Sequence, residues 1–146
     1  MSLHPSSTSF AAASMGTTLL RLSLGVMWIS HALLKLIVFT LAGTATFFES
    51  VGISGILAYP VFGVELIGGI ALVLGIYARQ VSLALVPVML AAASVHVPNG
   101  WVFTSPGGGW EYPIFLAVAS LALWLLGDGA AAMKRSNFLV PGSART

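Results

Sequence analysis

Three ionisable side chains lie inside long apolar stretches of this chain. His31 and Lys35 interrupt the first stretch, and Glu65 interrupts the second. A charge at the centre of a bilayer costs about 2.5 to 3.5 kcal/mol even on insertion scales, so such residues normally face the interior of a helix bundle and mark a site. The pattern therefore predicts a membrane protein whose helices enclose a buried polar cluster.

The composition requires lipid around most of the chain. Of 146 residues, 58% are hydrophobic and 7% are charged, and the mean hydropathy is +0.98. Soluble domains carry about 25% charged residues, so we predict a lipid bilayer as the main partner of the surface. Six basic residues are too few for a nucleic-acid surface. The chain has no cysteine, which excludes disulfides, thiol redox couples and thiolate metal sites.

Four apolar runs are candidates for membrane-spanning helices. They cover residues 22–39, 60–77, 81–97 and 113–126. A span needs about 20 residues, and about 17 is acceptable, so the first three runs qualify directly. The fourth is shorter and reaches full length only if it continues to residue 133, with Asp128 at the interface. The predicted fold class is an all-α, four-helix transmembrane bundle.

The distribution of positive charge predicts the orientation of the bundle. With four spans and a cytoplasmic N-terminus, the C-terminus is also cytoplasmic, and the basic residues other than Lys35 lie on the inner side, as the positive-inside rule requires. These are Arg21, Arg79, Lys134, Arg135 and Arg145. Amphipathic rings prefer the membrane interface, and the outer one then holds Trp101, Trp110 and Tyr112.

Polar stretches divide the rest of the chain. Residues 1–14 are rich in Ser and Ala and contain no Lys or Arg, and we predict a disordered N-terminal tail there. The membrane domain then covers residues 15–135, and residues 136–146 form a C-terminal tail. Residues 44–56 are too polar to cross a bilayer but contain apolar side chains, which predicts a short interfacial segment between the first two spans.

Helix rise places the buried charges at similar depths. Measured from the arginines at the inner surface, Lys35 and Glu65 both lie roughly 21 Å up, and His31 lies roughly 15 Å up. Gly68 and Gly69 follow Glu65 on the same helix and allow a neighbouring backbone to come close. The sequence therefore predicts an ion pair between Lys35 and Glu65. The alternatives are that Lys35 extends to the outer headgroups and that Glu65 is neutral and hydrogen-bonded.

The positions of the histidines give little support to a haem or metal site. His31 and His96 differ in depth by roughly 10 Å, whereas the two axial ligands of a haem need nearly equal depth. Together with Glu65, these histidines have none of the short ligand spacings that are typical of metal sites. We predict no metal and no intrinsic cofactor.

Several segments together resemble the DoxX family of small bacterial membrane proteins. They are Arg21-Leu22, the run from His31 to Lys35, the segment from Phe47 to Gly52, the runs from Glu65 to Gly69 and from Leu74 to Arg79, and His96, Gly100 and the run from Gly108 to Tyr112. The resemblance extends over nearly the whole chain. Many relatives have a glycine after the histidine where this chain has Ala32, which leaves less room for a ligand.

The resemblance implies a four-helix integral protein of the bacterial inner membrane. Some relatives are subunits of a thiosulfate:quinone oxidoreductase, and others are linked to quinone detoxification or to oxidative-stress assemblies. The favoured hypothesis is a membrane component of a quinone-linked redox system, as a subunit of a quinone-dependent oxidoreductase. Such a subunit needs a soluble redox partner to deliver electrons.

In this hypothesis a quinone binds in the outer half of the bundle. His31 and Lys35 hydrogen-bond its carbonyl groups, and Glu65 exchanges the protons that accompany two-electron reduction. Five further residues are candidates for ligand binding, the tryptophans because their rings can pack against a quinone. They are Trp28, Trp101, Trp110, His96 and Glu111.

Two other functions fit the same residues. The first is a non-catalytic membrane anchor for soluble redox enzymes, in which the polar cluster only fixes the register of the helices. The second is a small proton-coupled transporter, which four short helices would support only as a homo-oligomer. In an anchor, Glu65→Gln should reduce protein level or assembly without changing ligand affinity. Flux in proteoliposomes that depends on a proton gradient would favour the transporter.

Overall fold

The computed structural model describes residues 7–141, which form an all-α fold. Its five helices are α1 (Ser7–Leu33), α2 (Leu41–Ser50), α3 (Ala58–Leu74), α4 (Ala78–His96) and α5 (Glu111–Leu126). One π-helical turn, Leu34–Val38, continues α1, and 3-10 turns cover Gly55–Leu57 and Val97–Asn99. Within the described residues, β-type pairing is limited to an isolated bridge between Ile76 and Lys134.

Three helical segments are long and apolar enough to cross a membrane. They are Thr8–Val38, Gly55–Leu74 and Ala78–Asn99. α5 is apolar but has only 16 residues. Large hydrophobic side chains face outward, and Ile67 is 70% exposed, which suits contact with acyl chains. The chain is thus a membrane protein, while a fourth crossing and the cytoplasmic position of both termini stay predictions.

α1 begins earlier than the sequence analysis expects. Residues 7–14 are helical, although they fall in the predicted disordered tail; residues 1–6 of that tail lie outside the described residues. Phe10 is followed by three alanines, and alanine is the strongest helix former, so the helix extends backwards from the span. α5 ends at Leu126 instead of continuing to residue 133, because Gly127 has a φ of 119° that no helix contains.

The long helices alternate in direction, which gives the bundle two distinct ends. The Arg21 end holds Arg21 of α1, the turn at Gly75 between α3 and α4, and the last residues of α5. The Lys35 end holds the π-helical turn, α2 and the loop of residues 100–110 before α5. α2 covers much of the segment predicted to be interfacial, and it packs against α3 at this end.

α1 and α3 cross at a pair of glycines. A Cβ on Gly25 would lie 2.9 Å from the carbonyl oxygen of Gly69, and a Cβ on Gly69 would lie 2.9 Å from the carbonyl oxygen of Gly25. Both distances are shorter than real Cβ contacts, so the two backbones touch directly, as small residues allow between membrane helices. The close approach beside Glu65 that the sequence predicts is confirmed.

The core between the helices is apolar. It contains one aromatic side chain from α1, with leucines from the four long helices and a methionine from α4 packed around it. Its largest members are Trp28, Leu24, Leu72, Leu85, Met89, Leu116 and Leu123. This core fills the middle of the bundle, and the buried charged residues Arg21, Glu65 and Asp128 lie towards its two ends.

The C-terminal segment, residues 128–139, ties the long helices together at the Arg21 end. The guanidinium group of Arg21 on α1 donates a hydrogen bond to a carbonyl of this segment. Lys134 accepts a hydrogen bond from the backbone N–H of Tyr77 at 2.9 Å, between α3 and α4. The indole N–H of Trp124 on α5 donates to the same segment at 3.0 Å. The predicted C-terminal tail is therefore packed against the bundle as far as it is described.

Asp128 organises this segment through three hydrogen bonds. Its carboxylate accepts from the hydroxyl of Ser136 at 2.6 Å, from the backbone N–H of Ser136 at 2.9 Å and from the backbone N–H of Arg79 at 3.4 Å. Burial alone would raise the pKa of Asp128, but these hydrogen bonds and the charge of Arg79 outweigh it and hold the pKa below its ordinary value.

Asp128→Asn should destabilise the protein most at neutral pH. Because the folded-state pKa is lowered, the carboxylate stabilises the fold fully above its ordinary pKa of 3.8, and this contribution is lost as the pH falls through the folded-state value. Thermal unfolding in detergent at neutral pH should give the variant a Tm several degrees below that of the wild type. This difference should become smaller in acid. A difference that does not depend on pH would contradict this assignment, and Glu49→Gln, at an exposed carboxylate, is the control.

Gly69→Ala should lower the Tm of the protein, whereas Gly63→Ala on the same helix should not. A methyl group at Gly69 meets the backbone of α1 at 2.9 Å, while nothing lies within 4 Å of one at Gly63. Overpacking of this kind costs about 1 to 3 kcal/mol, and alanine at an open helical site gains up to about 1 kcal/mol over glycine. Equal Tm values for the two variants in detergent would refute the backbone contact.

Candidate functional site

The predicted ion pair between Lys35 and Glu65 is confirmed. The Nζ of Lys35 lies 2.7 Å from Oε2 and 2.9 Å from Oε1 of Glu65, so both carboxylate oxygens accept from one ammonium group. The side chain of Glu65 is 2% exposed and that of Lys35 is 18% exposed. An ammonium group has three donors, and the third remains available to a ligand.

The π-helical turn positions Lys35 for this contact. The backbone N–H of Phe39 donates to the carbonyl of Leu34 at 3.0 Å, five residues back. Such turns interrupt the regular spacing of an α-helix and occur frequently at functional sites. Sequence reasoning treated the first span as one regular helix and missed this turn, for which the residues of the first span give no clear signal.

Tyr112 joins the cluster from α5. Its hydroxyl lies 3.2 Å from Nε2 of His31, and the two rings stack with centroids 5.6 Å apart and an interplanar angle of 28°. The sequence analysis assigned Tyr112 to the outer interface and missed this contact. Its position near the start of α5, at the Lys35 end, was the available signal.

These side chains line a cavity of about 880 Å³ at the Lys35 end. Every helix contributes to its walls, which are mainly aliphatic and aromatic and include Phe39, Phe47, Phe48 and Phe103. The polar groups in the walls are His31, Lys35, Thr44, Glu65, His96 and Tyr112. Small-molecule sites have volumes of about 300 to 1,000 Å³ and are largely apolar with a few polar groups, so the cavity has the size and character of a ligand site.

His96 reaches the cavity from the last turn of α4. Its Nδ1 lies 2.7 Å from the carbonyl oxygen of Ala92, one helical turn back. The other edge of the ring faces the loop before α5, where a Cβ on Gly108 would contact Cδ2 at 3.3 Å and Nε2 at 3.6 Å. Thus the four residues His31, Lys35, Glu65 and His96 from the sequence analysis share one cavity.

The other four predicted ligand-binding residues lie outside the cavity walls. Trp28 is 1% exposed in the core. The rings of Trp101 and Trp110 pack edge to face with centroids 4.4 Å apart, and Glu111 accepts a hydrogen bond from the backbone N–H of Phe103 at 2.8 Å. Trp101, Trp110 and Glu111 therefore hold the loop that borders the cavity. The aromatic side chains in the cavity walls are mainly phenylalanines and not the predicted tryptophans.

The polar groups equip the cavity for hydrogen bonding and proton exchange. Lys35 and the linked pair of His31 and Tyr112 offer donors, and Glu65 offers a carboxylate. Apolar walls around them strengthen each of these interactions relative to water. Among residues 7–141, no three His, Asp or Glu side chains come together to hold a metal ion. The arrangement suits an apolar molecule with a polar edge.

Comparison with known proteins identifies the family. The DoxX family model matches residues 16–98. The chain belongs to the DoxX family. The chain is also similar to the Bacillus subtilis (strain 168) protein described as "Putative oxidoreductase CatD", with 33% identity over 113 residues, or 77% of this chain and 80% of that protein. No solved structure matches the chain.

The DoxX match covers most of the polar cavity residues. His31, Lys35, Glu65 and His96 lie within residues 16–98, and Tyr112 lies beyond them. Ala32, where the sequence analysis expects reduced space for a ligand, is fully buried and is not part of the cavity wall. This alanine therefore takes no space from the cavity of this DoxX protein.

Lys35→Met should destabilise the protein more than the double variant Lys35→Met with Glu65→Met. Removing one partner leaves a buried carboxylate without its cation, at a cost of about 3 to 5 kcal/mol, whereas an apolar replacement of both partners is often nearly neutral. A double-mutant cycle of Tm values in detergent measures the coupling. Additive effects of the two single substitutions would contradict a buried ion pair.

Proposed function

We propose that this DoxX protein is a membrane component of a quinone-linked redox or oxidative-stress system of the bacterial inner membrane. The observation that carries the proposal is the buried ion pair of Lys35 and Glu65 in the wall of an otherwise apolar cavity. Intramembrane ionisable residues are costly and typically mark substrate or proton pathways.

A quinone head matches the walls of this cavity. Its ring and tail suit the aliphatic and phenylalanine side chains, and aromatic pairs gain about 0.5 to 1.5 kcal/mol beyond area burial. One carbonyl oxygen accepts a hydrogen bond from the third proton of Lys35 or from the pair of His31 and Tyr112. A lipid-soluble quinone also reaches a membrane site without leaving the bilayer.

Glu65 supplies the proton chemistry in this proposal. Reduction of a quinone to a hydroquinone takes up two electrons and two protons, and a buried carboxylate beside the ring can pass protons to the oxygens as charge develops. A soluble redox partner of the membrane protein delivers or removes the electrons. The description of the Bacillus subtilis relative as an oxidoreductase supports a redox role.

Glu65→Gln should weaken binding of a 1,4-naphthoquinone to the purified protein about tenfold or more, because Lys35 loses the carboxylate that holds it in the cavity wall. Titration in mild detergent measures the affinity, and mass spectrometry of the wild-type extract should find a stoichiometric quinone. Glu49→Gln makes the same chemical change at an exposed carboxylate on α2 and should leave the affinity unchanged.

Two results would overturn the proposal. The first is an extract without quinone together with no measurable binding of the naphthoquinone. The second is a Glu65→Gln variant that binds like the wild type. Lower protein yield for Glu65→Gln, with a soluble redox protein but no small molecule in the wild-type extract, would instead favour the membrane-anchor function.

A further inference from the structure

The hydrogen bond of His96 to its own helix defines the chemistry of its ring. A carbonyl oxygen only accepts hydrogen bonds, so at 2.7 Å from the oxygen of Ala92, Nδ1 of His96 must carry the proton. In a neutral imidazole one nitrogen donates and the other accepts. The bond to Ala92 therefore leaves Nε2 of His96 as an acceptor.

His96 lines the cavity, and within residues 7–141 its Nε2 has no hydrogen-bond partner. Nε2 lies on the edge of the ring beside Gly108, in a part of the wall that both residues form. Gly108 has no side chain to cover this edge of the ring, and a Cβ on it would lie 3.6 Å from Nε2.

The other polar groups of the cavity are mainly hydrogen-bond donors, or acceptors that already have a hydrogen-bond partner. Both oxygens of Glu65 accept from Lys35, and the hydroxyl of Thr44 donates to the carbonyl of Thr40 at 2.9 Å. His31 and Tyr112 are linked by one hydrogen bond. An unengaged acceptor at His96 thus lies in the same cavity as the donor group of Lys35.

We propose that His96 accepts a hydroxyl proton of the bound ligand, so that the cavity binds a hydroquinone in preference to the corresponding quinone. This inference rests on the proposed function and specifies the redox state of its ligand. The oxygen at the Lys35 side can accept a hydrogen bond in either redox state. At His96 only the hydroquinone has a proton to donate, and the quinone leaves Nε2 facing a carbonyl oxygen.

The preference for the hydroquinone over the quinone can be expressed as a ratio of affinities. One hydrogen bond to an acceptor that otherwise stays unpaired corresponds to about a tenfold difference in affinity. For a two-electron couple, tenfold tighter binding of the reduced form raises the midpoint potential of the bound couple by about 30 mV. The site would then favour reduction of the bound quinone.

The test compares the two redox forms of one ligand. 1,4-Naphthoquinone and its hydroquinone are titrated anaerobically, at neutral pH, into the purified wild type, His96→Phe and Ser94→Ala. The wild type should bind the hydroquinone about tenfold more tightly, and His96→Phe should bring the ratio to about one by weakening only the hydroquinone. Ser94→Ala, at an exposed residue two positions away on α4, should keep the wild-type ratio.

A second ligand keeps the test independent of the variant's folding. 1,4-Dimethoxynaphthalene retains the ring and both oxygens of the hydroquinone but has no hydroxyl proton, and it should bind the wild type no more tightly than the quinone does. Equal wild-type affinities for hydroquinone and quinone, tight binding of the dimethyl ether, or an unchanged ratio in His96→Phe would each overturn the role of His96 while leaving quinone binding intact. If no redox form binds, the proposed function fails together with this inference.

Discussion

The cost of holding a charge inside a lipid bilayer governs this structure. Lys35 and Glu65 offset each other's cost by meeting at 2.7 Å, and α1 and α3 approach each other closely one helical turn along α3 from Glu65. Gly25 and Gly69 provide that approach, and the π-helical turn, Leu34–Val38, brings the ammonium group to the carboxylate. The polar site therefore lies beside the helix crossing.

The cavity at the Lys35 end follows from the same arrangement. The helices that meet closely at Gly25 leave space near Lys35, where α2 and the loop before α5 supply the remaining walls. Polar groups occur in these walls as hydrogen-bonded pairs, His31 with Tyr112 and Lys35 with Glu65. Pairing keeps the cavity stable without a ligand and still leaves individual donors and acceptors exposed to one.

Sequence reasoning predicted the parts of the site that depend on the free-energy cost of a buried charge and on the spacing of residues along a helix. The ion pair was predictable because an unpaired Glu65 inside the membrane has a high free-energy cost. The close approach of α1 and α3 was predictable because glycines permit close packing of helices. The contact of Tyr112 with His31 depends on how α5 rotates about its axis, which an apolar helix does not encode in a regular pattern. The π-helical turn departs from the period of 3.6 residues on which such reasoning relies.

The segment of residues 128–139 has a consequence for how the protein is made. It binds Arg21 on α1 and the turn between α3 and α4, yet a ribosome synthesises it after all five helices. α1 and α3 can associate through Gly25 and Gly69 while translation continues. Closure of the Arg21 end must wait until α5 has left the ribosome, so the final step of assembly takes place after insertion of the earlier helices.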